Sequence, residues 1–114
     1  MINVLLKTYL ENELGIPVIF EKPKDVPESY VLIELTDEGK ENHINSATFQ
    51  FHCNSNSLYN SAVLTDSVQE LLENAITLPA ISKSQIGGKS DYISVDKRYK
   101  YILTFNFTYY REET

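Results

Sequence analysis

A chain of 114 residues, 42% hydrophobic and 23% charged, has the length of one domain with a core of its own, and this composition argues against disorder. Ten Lys and Arg against sixteen Asp and Glu leave a net charge of −6, which repels phosphate backbones and argues against nucleic acid as a specific partner. Cys53 is the sole cysteine, so no intramolecular disulfide can form, as expected of a reducing compartment.

No apolar run approaches the ~20 residues that cross a bilayer, and the first residues lack the basic-then-apolar layout of a secretory signal. The chain is therefore expected to be soluble and cytoplasmic, with no membrane partner. Eight Tyr and five Phe occur without Trp. Tyr buries a ring while keeping its hydroxyl wet, so this surplus points to half-buried or interface positions.

Ile2, Leu5, Leu6, Tyr9, Leu10 and Leu14 recur at the three-and-four spacing of an amphipathic helix. Gly15 and Pro17 end it, which predicts a helix over residues 2–14. Val18, Ile19 and Phe20 make a brief strand, and residues 22–27, with Pro23 and Pro27, form an extended connector. Residues 30–36, YVLIELT, are apolar on both faces up to Glu34 and predict an interior strand. Residues 37–42, DEGKEN, read as a polar turn. Ala47, Phe49, Phe51 and Cys53 then alternate with Thr48, Gln50 and His52, a strand with its aromatics inward that closes a hairpin.

Asn54, Ser55, Asn56 and Ser57 offer side-chain oxygens for the free amides of a helix start. Leu58, Val63, Leu64, Val68, Leu71, Leu72 and Ala75 follow at helical spacing, predicting a helix over 57–74. Residues 80–90 read as a loop, since Gly87-Gly88 permits turn geometry closed to other residues. Tyr92 to Val95 predicts a short strand that turns through residues 96–98 into the last one. Residues 111–114 form a charged tail expected to fray.

The last strand, residues 99–110, organises the rest. Tyr99, Tyr101, Leu103, Phe105, Phe107 and Tyr109 fall on one side of an extended chain, and Lys100, Thr104, Asn106 and Thr108 on the other with Ile102 and Tyr110. At ~3.3 Å per residue the strand spans ~40 Å. A compact domain of this length has a radius of gyration of only ~13 Å, so the strand should cross the whole molecule and overhang it. An overhanging strand must bend, pair with an equally long neighbour or offer its edge to another subunit. The predicted fold is a single α+β domain over residues 1–114, with a mostly antiparallel sheet of about five strands and two helices packed on one face.

Chemistry-bearing patterns are sparse. His52 and Cys53 point to opposite faces of a strand and cannot join His43 at one metal ion. There is no Gly-x-Ser-x-Gly turn, and the Gly87-Gly88-Lys89-Ser90 stretch has Lys83 where a phosphate loop needs its first glycine. Carboxylates at Glu11 and Glu13, at Asp37, Glu38 and Glu41, and at Glu70 and Glu73 fall on solvent faces or a turn, not in a cleft. Asn106-Phe107-Thr108 matches a glycosylation acceptor but lies in mid-strand. The expectation is a protein without enzymatic activity, cofactor or metal, whose work is done by its surfaces.

The N-terminal helix, the Pro-bounded connector, Val26-Pro27-Glu28-Ser29-Tyr30 leading into a strand, the aromatic strand at 47–53, the Leu-bearing second helix and the closing aromatic strand resemble one known family. Together they resemble the small tail terminator, or tail completion, proteins of long-tailed bacteriophages and prophages. The resemblance implies a minor tail protein that forms a homo-oligomeric ring, usually of six, at the head-proximal end of the tail tube. There it would end tube polymerisation and join tail to head, with tail tube protein and head connector protein as partners. It also implies assembly in the cytoplasm of the bacterial host and a place in the virion tail. The loops at 37–45 and 80–90 become candidate contacts, with Glu38, Lys40, Glu41, Lys83 and Lys89 as interface residues. There are two alternatives: another head-to-tail connector protein of similar layout, or a small acidic module that binds and inhibits a basic protein.

Overall fold

The computed structural model describes residues 2–21, 29–41, 44–77, 81–93 and 99–110. Helix α1 spans Ile2–Leu14, followed by strands β1 (Val18–Ile19), β2 (Tyr30–Glu41) and β3 (Ile44–Ser55). Helix α2 (Leu58–Glu73), a single 3-10 turn (Asn74–Thr77), β4 (Ile81–Ile93) and β5 (Tyr99–Tyr110) complete the order. This is the expected α+β arrangement of two helices on a five-stranded, mostly antiparallel sheet. The strands lie in the order β1-β2-β3-β5-β4, and only β1 pairs in parallel, through Val18 and Ile19 against Val31 and Leu32.

Each helix ends where local chemistry says it should. Gly15 takes a φ of 69°, the left-handed geometry open to a residue without Cβ, and its amide donates to the Glu11 carbonyl at 2.9 Å. Ser57 caps α2, its Oγ accepting from the Asn60 amide at 3.1 Å. Helix α1 lies against α2, β1 and β2, and the Tyr9 hydroxyl donates to the Leu71 carbonyl at 2.9 Å. Burial of the ring is the larger cause of the phenol's raised pKa and the nearby Glu13 charge the smaller.

β3 and β5 form the spine. Their register runs from Ile44 opposite Tyr110 to Ser55 opposite Tyr99 without a shift. Phe49, Phe51, Phe105 and Phe107 meet on the helix side of this ladder and are fully buried. Their ring centroids stand 6.0–6.4 Å apart, mostly tilted or edge-on, as the ring quadrupoles prefer. Each such side chain contributes about 1.5–3 kcal/mol by leaving water. Leu6, Leu10, Val68 and Leu72 close the core from the helices. Small polar residues let α2 come close to the sheet: Ser61 Oγ donates to the Cys53 carbonyl at 2.8 Å, and Thr65 Oγ1 to the Ser61 carbonyl at 2.7 Å.

Three expectations need correction. Of the loop expected at 80–90, residues 81–90 are strand, because β4 runs unbroken from Ile81 to Ile93 along β5. The ladder shifts register between Ile86 and Gly88, so Gly87-Gly88 supports a bulge and not a turn. Residues 37–41 likewise continue β2, past a second shift between Leu35 and Asp37. Of the short strand expected at 92–95, Tyr92 and Ile93 end β4, while residues 94–98, the connector at 22–27 and the tail at 111–114 lie outside the described residues. The body measures 45 × 24 × 23 Å, so the long strands do cross its whole length.

Candidate functional site

Strand pairing sets which backbone groups are left over. β1 covers only Val31 and Leu32 of β2, so among the described residues the outer edge of β2 is unpaired from residue 33 to residue 41. β4 is the terminal strand on the other side, and its outer edge has no strand partner among the described residues. Unpaired amides and carbonyls along two such edges are templates for adding another strand.

Exposure follows this layout. Glu34, Leu35, Thr36, Asp37, Glu38 and Lys40 are all exposed, as are Ser82, Lys83, Gln85, Ile86 and Lys89. The usual in-and-out alternation of a strand fades at both margins, where no further strand lies outside them among the described residues. Two apolar side chains are exposed among these polar ones: Leu35 at 49% and Ile86 at 39%. Leu35 stands opposite Phe49 and Ile86 opposite Phe105, so both project from the helix side of the sheet.

The five residues picked from sequence fall on these margins. Glu38 and Lys40 are exposed on β2, and Glu41 ends it, with its side chain outside the described ones. Lys83 and Lys89 are on β4. The two groups are separated by β3 and β5, three strand spacings or about 14 Å, so one subunit does not bring them together. Lys89 is engaged within the subunit: its Nζ lies 3.0 Å from Asp66 Oδ1 and 3.4 Å from Gln69 Oε1 of α2. Glu38 acts on Tyr109, whose phenol is pushed up mainly by burial and secondarily by that carboxylate.

The face without helices is polar at one end and closed at the other. Thr48 Oγ1 donates to Asn106 Oδ1 at 2.6 Å, and Thr36 Oγ1 to the Thr48 carbonyl at 3.0 Å. At the other end His52, on the side of β3 away from the inward aromatics, is only 7% exposed, since it stands in register between Leu32 and Ile102. Glu34 Oε2 approaches its Nε2 to 3.2 Å, yet neither ring nitrogen has a well-formed hydrogen bond among the described residues. Burial, helped by the Lys100 charge, pushes the imidazole pKa down, and Glu34 offsets part of that.

Cys53 points the opposite way, into the core, where burial pushes its thiol up to about 12. It is inert as a nucleophile or thiolate ligand at neutral pH. Among the described residues no three His, Cys, Asp or Glu side chains converge as a metal set, and no helix is long and apolar enough to cross a membrane. His43, the third residue of the metal set weighed from sequence, lies outside the described residues.

Sequence reading missed Leu35, Ile86 and all of β4 ahead of Tyr92. One signal was present: a last strand of twelve residues needs a partner of similar length, and the four residues at 92–95 are too few. Comparison with known proteins gives no family model that matches the chain and no characterised protein that matches it in sequence.

Proposed function

We propose that the protein is a structural subunit of a long-tailed phage or prophage tail, assembling as a ring on the head-proximal end of the tail tube. The observation that carries this reading is the 45 Å body whose β2 and β4 margins each expose a row of strand edge. A protein built to act alone blunts such edges by shortening or covering them. Here the edges are long, and they lie on opposite sides of the sheet, the layout that head-to-tail repetition requires. The order of helices and strands supports the tail terminator in particular: a ring that ends tube polymerisation and presents a surface to the head connector. Assembly would take place in the bacterial cytoplasm before the subunit becomes part of the virion.

The test is negative-stain imaging of the purified protein with tail tubes, alongside its mass in solution. Rings capping one end of the tubes are expected. A monomer that leaves the tubes bare and still growing sinks the reading.

A second reading is favoured by the exposed carboxylates Glu34, Asp37 and Glu38 along one margin of β2. Such a row steers association with a basic protein, as in a small acidic inhibitor. A one-to-one complex with a basic partner, broken by moderate salt, together with no ring, selects it over the tail subunit.

A further inference from the structure

β2 is antiparallel to β3, β3 to β5, and β5 to β4. β2 and β4 therefore run in opposite directions. A second copy set beside the first, helices on the same side, brings its β2 antiparallel to the first copy's β4, so the sheet continues across the boundary in the same pattern. We infer that copies of this chain pair head to tail, the β4 edge of one adding to residues 33–41 of β2 in the next. The inference rests on the assembly reading above and names the surface that would perform it.

Three features of the two margins fit one another. Leu35 and Ile86 are the exposed large apolar residues among those described on β2 and β4, and both project from the helix side. Placing them opposite each other buries both. That register also sets Ser84 beside Glu38 and brings Lys83 diagonal to Asp37 on the open face. Asp37 and Lys83 stand opposite Thr48 and Thr108, whose side chains share that face. Finally, each ladder shifts register next to its apolar residue, between Leu35 and Asp37 and between Ile86 and Gly88. Bulges and lysines discourage indiscriminate edge pairing; an acidic edge that meets a basic one restores it for this partner alone. The contact is heterologous, so repetition closes into a ring when the rotation per subunit divides a full turn.

Cysteine cross-linking tests the pairing. A variant carrying Leu35→Cys and Ile86→Cys cannot close a disulfide within one chain, because about 14 Å separates the strands and a disulfide needs Cα atoms within ~7 Å. The native Cys53 is buried and protonated and does not compete. Mild oxidation, with and without tail tubes, should give a covalent ladder of dimers, trimers and higher species. A variant with Leu35→Cys and Gln85→Cys should not, since Gln85 faces the other side. Lys83→Glu, an exposed change that spares the fold, should weaken unlinked association about fivefold, and adding Asp37→Lys should restore it.

Oligomers that form without the ladder, or equal ladders from both cysteine pairs, overturn the pairing and leave the tail reading standing. A ladder from protein that never binds tubes upholds the pairing and removes the tail reading. A monomer with no ladder, tubes present or absent, overturns both.

Discussion

The β3–β5 ladder and the two outer ladders use strands of similar length but treat them differently. β3 and β5 pair through all twelve residues of each without a shift, with four phenylalanines buried beneath them. β4, and β2 beyond Leu32, pair on one edge among the described residues, shift register beside Ile86 and Leu35, and expose most of their described side chains at the outer ends. The centre has one solution fixed by packing, whereas the margins keep backbone hydrogen-bonding capacity that folding does not use. In the proposed assembly, stability belongs to the first region and association to the second.

That division can be broken most forcefully at the centre. Phe105→Ala removes a fully buried ring and should cost about 3–5 kcal/mol in denaturant unfolding, comparable to the whole stability of a small domain. An unchanged melting temperature would contradict the central packing. Gly15→Ala places a Cβ at φ 69° and should cost about 1–2 kcal/mol without touching the edges. Equal loss of ring formation at temperatures where that variant is folded would show that association depends on more than the margins.

His52 sharpens the comparison from the open face. Its pKa is lower folded than unfolded, so between the folded value and about 6.5 the unfolded chain binds more protons. Its contribution is complete above about pH 6.5 and is lost as pH falls through the folded value. Stability measured downward from pH 7.5 should decline in that window, and His52→Gln should flatten the decline. An undiminished slope in the variant assigns the effect to other groups. The smallest expected effect is Lys83→Gln, which should change unfolding free energy by less than about 0.5 kcal/mol while weakening association. Intact association would take Lys83 out of the interface.

How far the sequence reveals this protein also follows the division. The last strand was legible to the residue because Leu103, Phe105 and Phe107 alternate with polar neighbours over one buried face. Helix α1 was equally plain, bounded by Gly15. The margins were not. Residues 82–89 lack alternation because most of them are exposed whichever face they take, and Gly87-Gly88 gives the same local signal for a bulge as for a turn. Residues 37–40 are polar for the same reason, with Asp37, Glu38 and Lys40 exposed near the end of β2. His52 was misjudged because alternation reports which face a side chain takes, not how closely Leu32 and Ile102 press on it.

Hydrogen exchange of the protein alone and bound to tail tubes tests the central claim most directly, since it reads each strand's amides separately. Slowed exchange in residues 33–41 and in β4 on assembly, with β3 and β5 protected equally in both states, is the predicted result. New protection confined to α1 and α2, with both margins exchanging as before, would contradict it.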